Sequence, residues 1–494
     1  MKDSNTVKLI FGAKVAYLRH QRGLSYQELG QLTGLSGAYL HEIEKGKKYP
    51  KADKIMALAQ AFGVPFEELV SVYTSKKLQP IVELLESDWL KAFPVEELFG
   101  LNTGKLMELF SNTPDKVNAF ISTVVKMARN YQLQTEHFFN AALRSYQDLH
   151  DNYFAELEKA AEAFRQEALT ECAKPYPTSI LEQVLREKFN INIDRKTLAK
   201  NVKLAQLRSV YSPNKKILYI NKNLSEAQQN FLIGREIAFQ YLQLEERPYE
   251  TVLRKAETFD ILLNNFKASY FSSALLMSEQ DVISDVYALA QLQQWDNQLI
   301  FKLLQRYNVT PEMFLQRLTN ILPKHFEVKD LFFLRINSSE DLKNFTMDKE
   351  LHLSRLHSPY ANQSHEHYCH RWASIKVLKR LRATGEKGAV LADAQISQYW
   401  ETDNAYFILS LGKLISKSSK VSVSVTLGLL ITEKLKSLFR FLNDPKLTLR
   451  IVNTTCERCS VPDCDERAAP PVFIERMTEM KELEDEVKQL IRRS

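Results

Sequence analysis

The sequence lacks several features that would place it in a special class of protein. Its 494 residues contain no apolar run long enough to cross a bilayer, and the opening MKDSNTVKLIFGAKV has neither the apolar core nor the cleavage site of a signal peptide. It has no internal repeat and no low-complexity tract. We therefore expect a cytoplasmic protein without a membrane partner. The net charge of +6 permits an anionic partner but does not require one.

Glycine, proline and cysteine are also scarce. With 14 glycines, 16 prolines and 45% hydrophobic residues, the composition is that of a helix-rich globular protein. The length exceeds what one core organises and predicts roughly two to four domains. The five cysteines are an odd number. In a reducing compartment, clustered cysteines indicate a metal or redox site before they indicate disulfides.

Hydrophobic periodicity divides the chain into four parts. Residues 7–73 predict five short helices, and residues 74–175 predict a helical connector or dimerisation region. Residues 178–320 form a mixed segment with a hairpin in RSVYSPNKKILYINK. Residues 330–480 carry strand patterns in LFFLRIN, AYFILSLGK, VSVSVTLGLL and LTLRIVNTT, which predict an α/β or α+β sensory domain. The predicted fold class is multidomain, mainly α with α+β.

The first part has the signals of a helix-turn-helix. In SYQELGQLTGLSGAYLHEIEKGKKYP, Ser25 and Ser36 are placed to cap successive helices, and Gly34 lies in the turn between them. The order of these parts, with Arg19 and the EKG from Glu44 to Gly46, resembles the lambda-repressor-like, or XRE, DNA-binding domain.

That resemblance implies a set of DNA contacts along the second and third helices. Gln27 and Tyr39 would bind phosphate, and three lysines would add charge, while Arg19 and Glu44 would form an internal ion pair. The complete set of implied contacts is Gln27, Ser36, Gly37, Ala38, Tyr39, His41, Glu42, Lys45, Lys47 and Lys48. Residues 1–73 carry ten basic and seven acidic side chains, so charge alone leaves a protein-docking module open as the alternative.

The segment FLIGREIAFQYL, residues 231–242, resembles the zinc helix of the ImmA/IrrE metallopeptidase-like family. Arg235 and Phe239 stand where that family has its two zinc-binding histidines, and only Glu236 matches the general base. Lys267 stands where the third ligand would be. The resemblance therefore implies a peptidase-like scaffold with no catalytic residues, and we expect no enzyme. A metallopeptidase-like protein is the alternative.

Three of the five cysteines lie within CERCSVPDCDERAAPP, residues 456–471. Cys456, Cys459 and Cys464 have the spacing CxxCxxxxC, which suits thiolate ligands of one metal centre. Cys369 is a candidate fourth ligand, and neighbouring histidines at 365, 367 and 370 compete with it. Such a set suits either structural zinc or an iron–sulfur cluster, and spacing alone does not separate the two.

The three features in this order resemble the short-chain fatty acyl regulator family of bacterial transcription factors, whose sensory domain ends in CxxCxxxxCxxRAxPP. The resemblance implies a regulator that binds a double-stranded DNA operator. Because a single helix-turn-helix contacts too few bases for genomic selectivity, we expect a homodimer on two half-sites. The resemblance to those members that regulate propionate catabolism implies a 4Fe-4S cluster, with Cys369, Cys456, Cys459 and Cys464 as its ligands. It also implies short-chain acyl-CoA as a small-molecule effector. Structural zinc in an adaptor without sensing is the alternative. No effector-binding residue follows, since the basic run KVLKRLR is typical of a solvated helix face.

Overall fold

The computed structural model describes residues 4–71, 135–251, 256–353, 366–384, 389–414 and 421–493. By their contacts these residues form two compact units, the first holding the N-terminal helices and the second holding residues 147–251 and 264–493. Within the described ranges, no helix has both the length and the apolar character that a membrane span requires. The predicted multidomain fold, mainly α with α+β, is confirmed.

Five short helices follow one another at the N-terminus, as the sequence predicts. They are α1 (Ser4–Gln21), α2 (Tyr26–Thr33), α3 (Gly37–Glu44), α4 (Ala52–Phe62) and α5 (Phe66–Val70). Their core includes Val15, Leu29, Leu40 and Leu58, all fully buried. Gly12 allows α1 to approach α3 closely, because a Cβ at that position would lie 2.4 Å from the carbonyl oxygen of Ile43.

The next elements surround a small sheet with strand order β1-β3-β2-β4. Its strands β2 and β3 are the hairpin that the sequence predicts. The helices are α6 (Thr135–Leu149), α7 (Ala155–Ala168), α8 (Thr178–Phe189), α9 (Thr197–Lys200), α10 (Glu226–Tyr241), α11 (Phe259–Leu276), α12 (Glu279–Ala290), α13 (Asn297–Tyr307) and α14 (Pro311–His325), and the strands are β1 (Asn192–Asp194), β2 (Ser209–Ser212), β3 (Ile217–Ile220) and β4 (Glu250–Thr251).

The predicted connector is only partly covered by the structure, since residues 74–134 lie outside the described ranges. Helix α7, which falls within the predicted connector, packs into the second unit. Its Glu158 forms a fully buried ion pair with Arg317 of α14, and its Phe164 lies against Phe271 of α11. This portion of the predicted connector therefore belongs to the core that follows it.

The C-terminal part is built on a six-stranded sheet with strand order β10-β7-β8-β9-β5-β6. All neighbouring pairs are antiparallel except β10 and β7. The strands are β5 (Leu331–Ser338), β6 (Phe345–His352), β7 (Val390–Tyr399), β8 (Ala405–Leu414), β9 (Ser422–Leu430) and β10 (Leu449–Val452). Helix α15 (Ala373–Thr384) covers one face, where Val377 lies against Gly412 of β8.

Two further helices complete the chain. They are α16 (Glu433–Leu438), followed by one 3-10 turn, and α17 (Val472–Arg493). Helix α17 begins directly after Pro470 and Pro471, and its described side chains from Glu475 onward are exposed. Apart from residues 254–263, the segments predicted as separate domains, 178–320 and 330–480, belong to one compact unit.

Candidate functional site

The helix-turn-helix is fixed by local hydrogen bonds that the sequence predicts. The Ser25 hydroxyl accepts from the Glu28 amide while the Glu28 carboxylate accepts from the Ser25 amide, which makes a complete capping box. Gly34 ends α2 with φ of 70°, and Ser36 caps α3 by accepting from the Tyr39 amide. These caps hold α3 at a defined angle to α2.

A buried ion pair joins α1 to α3. The Arg19 guanidinium donates to both oxygens of Glu44, at 2.7 and 2.9 Å, and the Tyr26 hydroxyl donates to the same carboxylate at 2.7 Å. Arg19 also lies over the Tyr26 ring. The predicted ion pair between Arg19 and Glu44 is confirmed. Because both side chains are buried, the pair stabilises the domain and does not contact DNA.

The residues implied as DNA contacts fall into two groups by exposure. Gln27, Ser36, Ala38, Lys47 and Lys48 are exposed. The others are half-buried, and two of them have partners within the domain, since the Tyr39 ring lies under the Lys54 ammonium and the His41 Nδ1 faces the Tyr26 hydroxyl. The half-buried contacts are Gly37, Tyr39, His41, Glu42 and Lys45. The sequence did not indicate Lys54, which places a further cation beside α3.

The pocket that resembles a zinc site is closed by an ion pair. Glu236 on α10 is buried, and its carboxylate accepts two hydrogen bonds from the Arg247 guanidinium, at 2.8 and 2.5 Å. Arg247 also lies 3.8 Å from the centre of the Phe239 ring. A carboxylate held in this way is not free to activate water, so the geometry agrees with the implied absence of a catalytic base.

Arg235 lies at the other side of the same pocket. Its guanidinium donates to the Thr251 hydroxyl and to the Asn265 side chain, and its Nε is buried without a hydrogen-bond partner among the described residues. Burial lowers the pKa of Arg235 to about 10, and the charge of Arg247 adds to the lowering. Two arginines therefore lie next to Glu236, and one of them, Arg235, stands at a position where the resemblance places a zinc-binding histidine.

The cysteine site is assembled by two backbone segments that meet side by side. The Cys456 amide donates to the His367 carbonyl at 2.8 Å, and the Cys369 amide donates to the Thr454 carbonyl at 3.1 Å. Tyr368 forms an isolated antiparallel bridge with Thr455. These bonds place Cys369 beside the tail that carries the other three cysteines.

Arg467 holds the tail of the cysteine site in a fixed shape. Its Nη1 donates to the carbonyl oxygens of Cys456 and Cys459, at 3.1 and 3.2 Å, and its Nη2 donates to the Val461 carbonyl at 2.6 Å. The Ala468 amide donates to the Cys456 Sγ at 3.3 Å. All three acceptors are backbone carbonyl oxygens, so Arg467 fixes the backbone of the tail.

The thiols of the cysteine site lie close enough to affect one another. Burial raises the pKa of the Cys369 thiol to about 11, and Cys456 and Cys459 add to the rise. The Arg371 guanidinium lies within electrostatic range of Cys369 and Cys464. Across the described residues, however, no group of three or more His, Cys, Asp or Glu side chains is arranged to hold a single metal ion.

The neighbouring histidines have other partners. The His367 Nδ1 lies 2.7 Å from the Glu457 carboxylate, and the His370 Nδ1 lies 3.2 Å from the Lys379 ammonium. Burial lowers the pKa of His370 to about 4, with the Lys379 charge adding to it, so this ring is neutral. His365 lies outside the described residues. The fifth cysteine, Cys172, is half-buried and lies in the loop that follows α7.

Comparison with known families matches two segments of the chain. Residues 10–71 match the family described as a helix-turn-helix domain, and residues 186–319 match the family described as an IrrE N-terminal-like domain. The second match covers the small sheet and the pocket of Arg235 and Glu236.

Similar proteins of known sequence are named as regulators. An uncharacterised HTH-type transcriptional regulator of Sinorhizobium fredii is 35% identical over 65 residues, which are 13% of this chain and 84% of that protein. The cryptic phage CTXphi transcriptional repressor RstR of Vibrio cholerae is 33% identical over 101 residues, 20% of this chain and 89% of the repressor. The HTH-type transcriptional repressor RghR of Bacillus subtilis is 38% identical over 61 residues, 12% of this chain and 45% of the repressor.

Among solved structures, a Mycobacterium tuberculosis transcriptional regulator is similar at 18% identity and a TM-score of 0.48, over 67% of this chain and 94% of that chain. The curated relatives are all named as transcriptional regulators or repressors, in agreement with the expectation that this chain is not an enzyme.

Proposed function

Because the chain belongs to the helix-turn-helix transcriptional regulators, we propose that it binds an operator through α2 and α3 and adjusts this binding through its C-terminal cysteine site. The observation that carries the proposal is the clamped tail, in which one arginine, Arg467, fixes the backbone of Cys456 and Cys459 beside Cys369. A buried set of thiols on such a tail suits a metal centre better than a packing role.

We assign an iron–sulfur cluster to the cysteine site rather than one zinc ion. Zinc–thiolate bonds of about 2.3 Å bring tetrahedral thiolates to roughly 3.8 Å from one another. The CxxCxxxxC run and its resemblance to cluster-binding regulators favour the polynuclear centre in this proposal, and structural zinc is the alternative. The ligands would be Cys369, Cys456, Cys459 and Cys464, and the bound cluster would supply electron transfer.

The protein's own side chains would hold both halves of this site in position. The Glu366 carboxylate accepts from Arg458, at 2.7 Å, and from the Thr455 hydroxyl, at 2.6 Å. The Glu457 carboxylate accepts from the His367 amide on the facing segment. The Ala468 amide points at the Cys456 sulfur, and hydrogen bonds of this kind shift the reduction potential of a cluster.

The tail leads directly into α17, which we propose as a dimer contact. The Phe473 amide at its start donates to the Glu457 carbonyl, and Arg458 lies 4.1 Å from the centre of the Phe473 ring. An apolar seam runs along the helix at alternating spacings of three and four, as in a two-stranded coiled coil. The seam consists of Met480, Leu483, Val487 and Leu490, which are 64, 62, 46 and 72% exposed.

The dimer matters for operator binding because one helix-turn-helix contacts few base pairs. Two copies on half-sites about one helical turn apart supply the selectivity that a single copy lacks. A change at the cysteine site would move the start of α17 and so alter how the two copies pair. This route connects the site to DNA without any contact between it and the operator.

Purification without oxygen, followed by analysis of bound metal, tests the proposal. The expected result is iron and inorganic sulfide, about four of each per chain, with visible absorbance that is lost in Cys459→Ser. One zinc per chain without iron would instead favour the second candidate function, an adaptor with structural zinc. Binding to an operator selected from a random DNA library tests the regulator half separately.

A further inference from the structure

A local excess of positive charge lies in residues 192–225, outside the helix-turn-helix. This segment runs from β1 to the cap of α10 and carries eight basic side chains and one acidic side chain. Since the whole chain has a net charge of +6, the remaining residues together are close to neutral. Residues 1–73 are far less basic, with ten basic and seven acidic side chains. Such a clustered excess indicates an anionic partner.

The pairing of two parallel strands gathers part of this charge at one edge of the small sheet. Strand β1 pairs with β3 so that Asp194 lies opposite Tyr219, and the carboxyl ends of parallel strands lie at the same edge. Lys196 follows β1 by two residues, and Lys222 follows β3 by two residues. Lys200 ends α9, which packs against β3. With one lysine of the next loop they form the lysine edge, which consists of Lys196, Lys200, Lys203 and Lys222.

A side-chain amide holds the loop that carries Lys203 at the same edge. The Asn221 Nδ2 donates to the carbonyl oxygens of Ala205 and Leu207, at 2.7 and 3.0 Å. Asn221 immediately precedes Lys222, so these two hydrogen bonds join the loop after α9 to the end of β3. The lysine edge is therefore assembled by strand pairing and by hydrogen bonds that do not involve the lysine side chains.

The ammonium groups of the lysine edge are left for a partner outside the chain. All four side chains are exposed, and none has a hydrogen bond or an ion pair to another described residue. The Asp194 carboxylate accepts instead from the Thr197 hydroxyl and amide, at 2.7 and 2.9 Å. These bonds lower the pKa of Asp194, and the charge of Lys200 adds to the lowering. Glu226, the next acid along the chain, accepts from the Thr178 hydroxyl at 3.4 Å.

Exposed and separate lysines favour an extended polyanion over a compact anion. A compact ligand binds in a concave site with convergent polar groups, whereas these four ammonium groups are exposed on separate backbone segments. A polyanion releases condensed counterions at each contact with such a charge. Val202 is 92% exposed between Lys200 and Lys203, but a surface that binds lipid needs a wider apolar face with Trp, Phe or Leu. The charges therefore fit the phosphates of nucleic acid better than a membrane.

We infer that the lysine edge binds the phosphate backbone of the DNA that flanks the operator. Once α2 and α3 hold the chain on the operator, the neighbouring phosphates have a high effective concentration at the lysine edge. Backbone contacts of this kind add affinity without reading the base sequence. The inference rests on the proposed function, because it adds a second DNA contact to operator binding.

Two operator duplexes of different length test this inference with the full chain. The short duplex holds only the two half-sites, about 20 bp, and the long duplex adds about two helical turns of unrelated sequence on each side. The wild type is expected to bind the long duplex more tightly and with a steeper salt dependence. Lys200→Gln combined with Lys203→Gln is expected to reduce the steepness on the long duplex by about 1.8 at most and to leave the short duplex unchanged.

Lys215→Gln combined with Lys216→Gln is the matched control. Both lysines are exposed in the same segment, and the Asn192 amide donates to the Lys216 carbonyl at the opposite edge of the sheet, where β1 and β3 begin. The control removes the same charge and is expected to leave both salt slopes unchanged. Thermal unfolding of all variants is expected to match the wild type, because exposed substitutions change stability little.

Lys196→Gln combined with Lys222→Gln gives a second test of the lysine edge and is expected to act on the long duplex in the same way. Equal affinity of the wild type for the two duplexes would overturn the inference. So would a loss in the control as large as the loss in the edge variants, or an edge variant that weakens binding to both duplexes equally, since the lysines would then act on the operator itself.

Two further outcomes separate this inference from the proposed function and from a membrane partner. If no operator is found, the proposed function fails, and a long unrelated duplex still tests the lysine edge, because the edge variants but not the control should reduce its salt-dependent binding. If operator binding persists while the long duplex brings no gain, the inference fails and the proposed function stands. Binding to vesicles containing phosphatidylserine that only the edge variants lose, without any effect on DNA, would assign the lysine edge to a membrane surface and overturn the inference.

Discussion

Arg467 donates hydrogen bonds to the carbonyl oxygen of Cys456, the first cysteine of the CxxC pair, and to two further carbonyls of the same tail. Because one guanidinium satisfies three carbonyls, the tail keeps its shape without regular secondary structure. Cys456 and Cys459 thereby lie on a fixed tail segment beside Cys369.

Replacement of Arg467 by methionine is expected to release the tail. Three charge-assisted hydrogen bonds are lost at once, each worth about 1.5–3 kcal/mol in a favourable case. We expect reduced iron content and faster proteolysis within residues 456–471, measured on anaerobically purified protein. Arg382→Met is the control, since Arg382 donates to a single carbonyl, that of Glu340. Equal iron content in both variants would show that Arg467 is not needed to hold the site.

Local signals in the sequence predicted the helix-turn-helix because its caps need only nearby residues. The cap hydrogen bonds of Ser25, Gly34 and Ser36 each join residues no more than four positions apart in the sequence. Their roles can therefore be predicted from spacing alone. Strand β7 was missed for a different reason. Its buried face carries Gln395 and Ser397, which give no hydrophobic alternation.

Long-range partners were not predictable from one sequence. Arg247 pairs with Glu236 across a turn, and the sequence around it carries no periodic signal. The meeting of Lys196 and Lys222 at one edge depends on the parallel pairing of β1 and β3, which only the folded sheet defines. The cysteine ligands were suggested by spacing and resemblance, and their metal stays a prediction.

Operator binding is expected to depend on the lysines that follow α3. Lys47 and Lys48 are exposed, and each phosphate contact releases about 0.9 counterion equivalents on B-DNA. Lys47→Ala combined with Lys48→Ala should therefore reduce the steepness of the slope of log affinity against log salt concentration by about 1.8 at most. Ala38→Glu should weaken binding more at low salt, because a carboxylate would face the groove. Lys434→Ala is the control, and unchanged affinity in all variants would exclude α3 from the interface.

The pair of Glu236 and Arg247 predicts an asymmetric loss of stability. Glu236→Gln leaves Arg235 and Arg247 buried without a counter-charge, and a broken buried pair costs about 3–5 kcal/mol. Arg247→Met is expected to reduce the free energy of unfolding less than Glu236→Gln does, because Glu236 still has Arg235 as a neighbouring cation. Denaturant unfolding of the full chain measures both. Equal losses would contradict this account, and peptide hydrolysis that disappears in Glu236→Gln would restore the peptidase interpretation.

The apolar seam of α17 predicts a self-association that salt strengthens. Glu479, Glu484 and Glu486 flank the seam, so like charges oppose pairing until ions screen them. Leu483→Glu should shift the full chain toward monomer in sedimentation experiments, while Gln489→Glu adds the same charge away from the seam and should not. If the dimer is unaffected by Leu483→Glu, α17 is not the dimer contact, and residues 74–134 of the predicted connector become the candidate.

The most direct test of the central claim compares operator affinity for anaerobic protein with its metal and for the same protein stripped of metal, at matched salt. If the cysteine site regulates DNA binding, the two affinities should differ by about 5- to 150-fold, the range of typical allosteric coupling. The N-terminal helices should remain folded in both forms. Equal affinities, with both forms dimeric and the iron verifiably removed, would contradict the account and leave the metal a structural part.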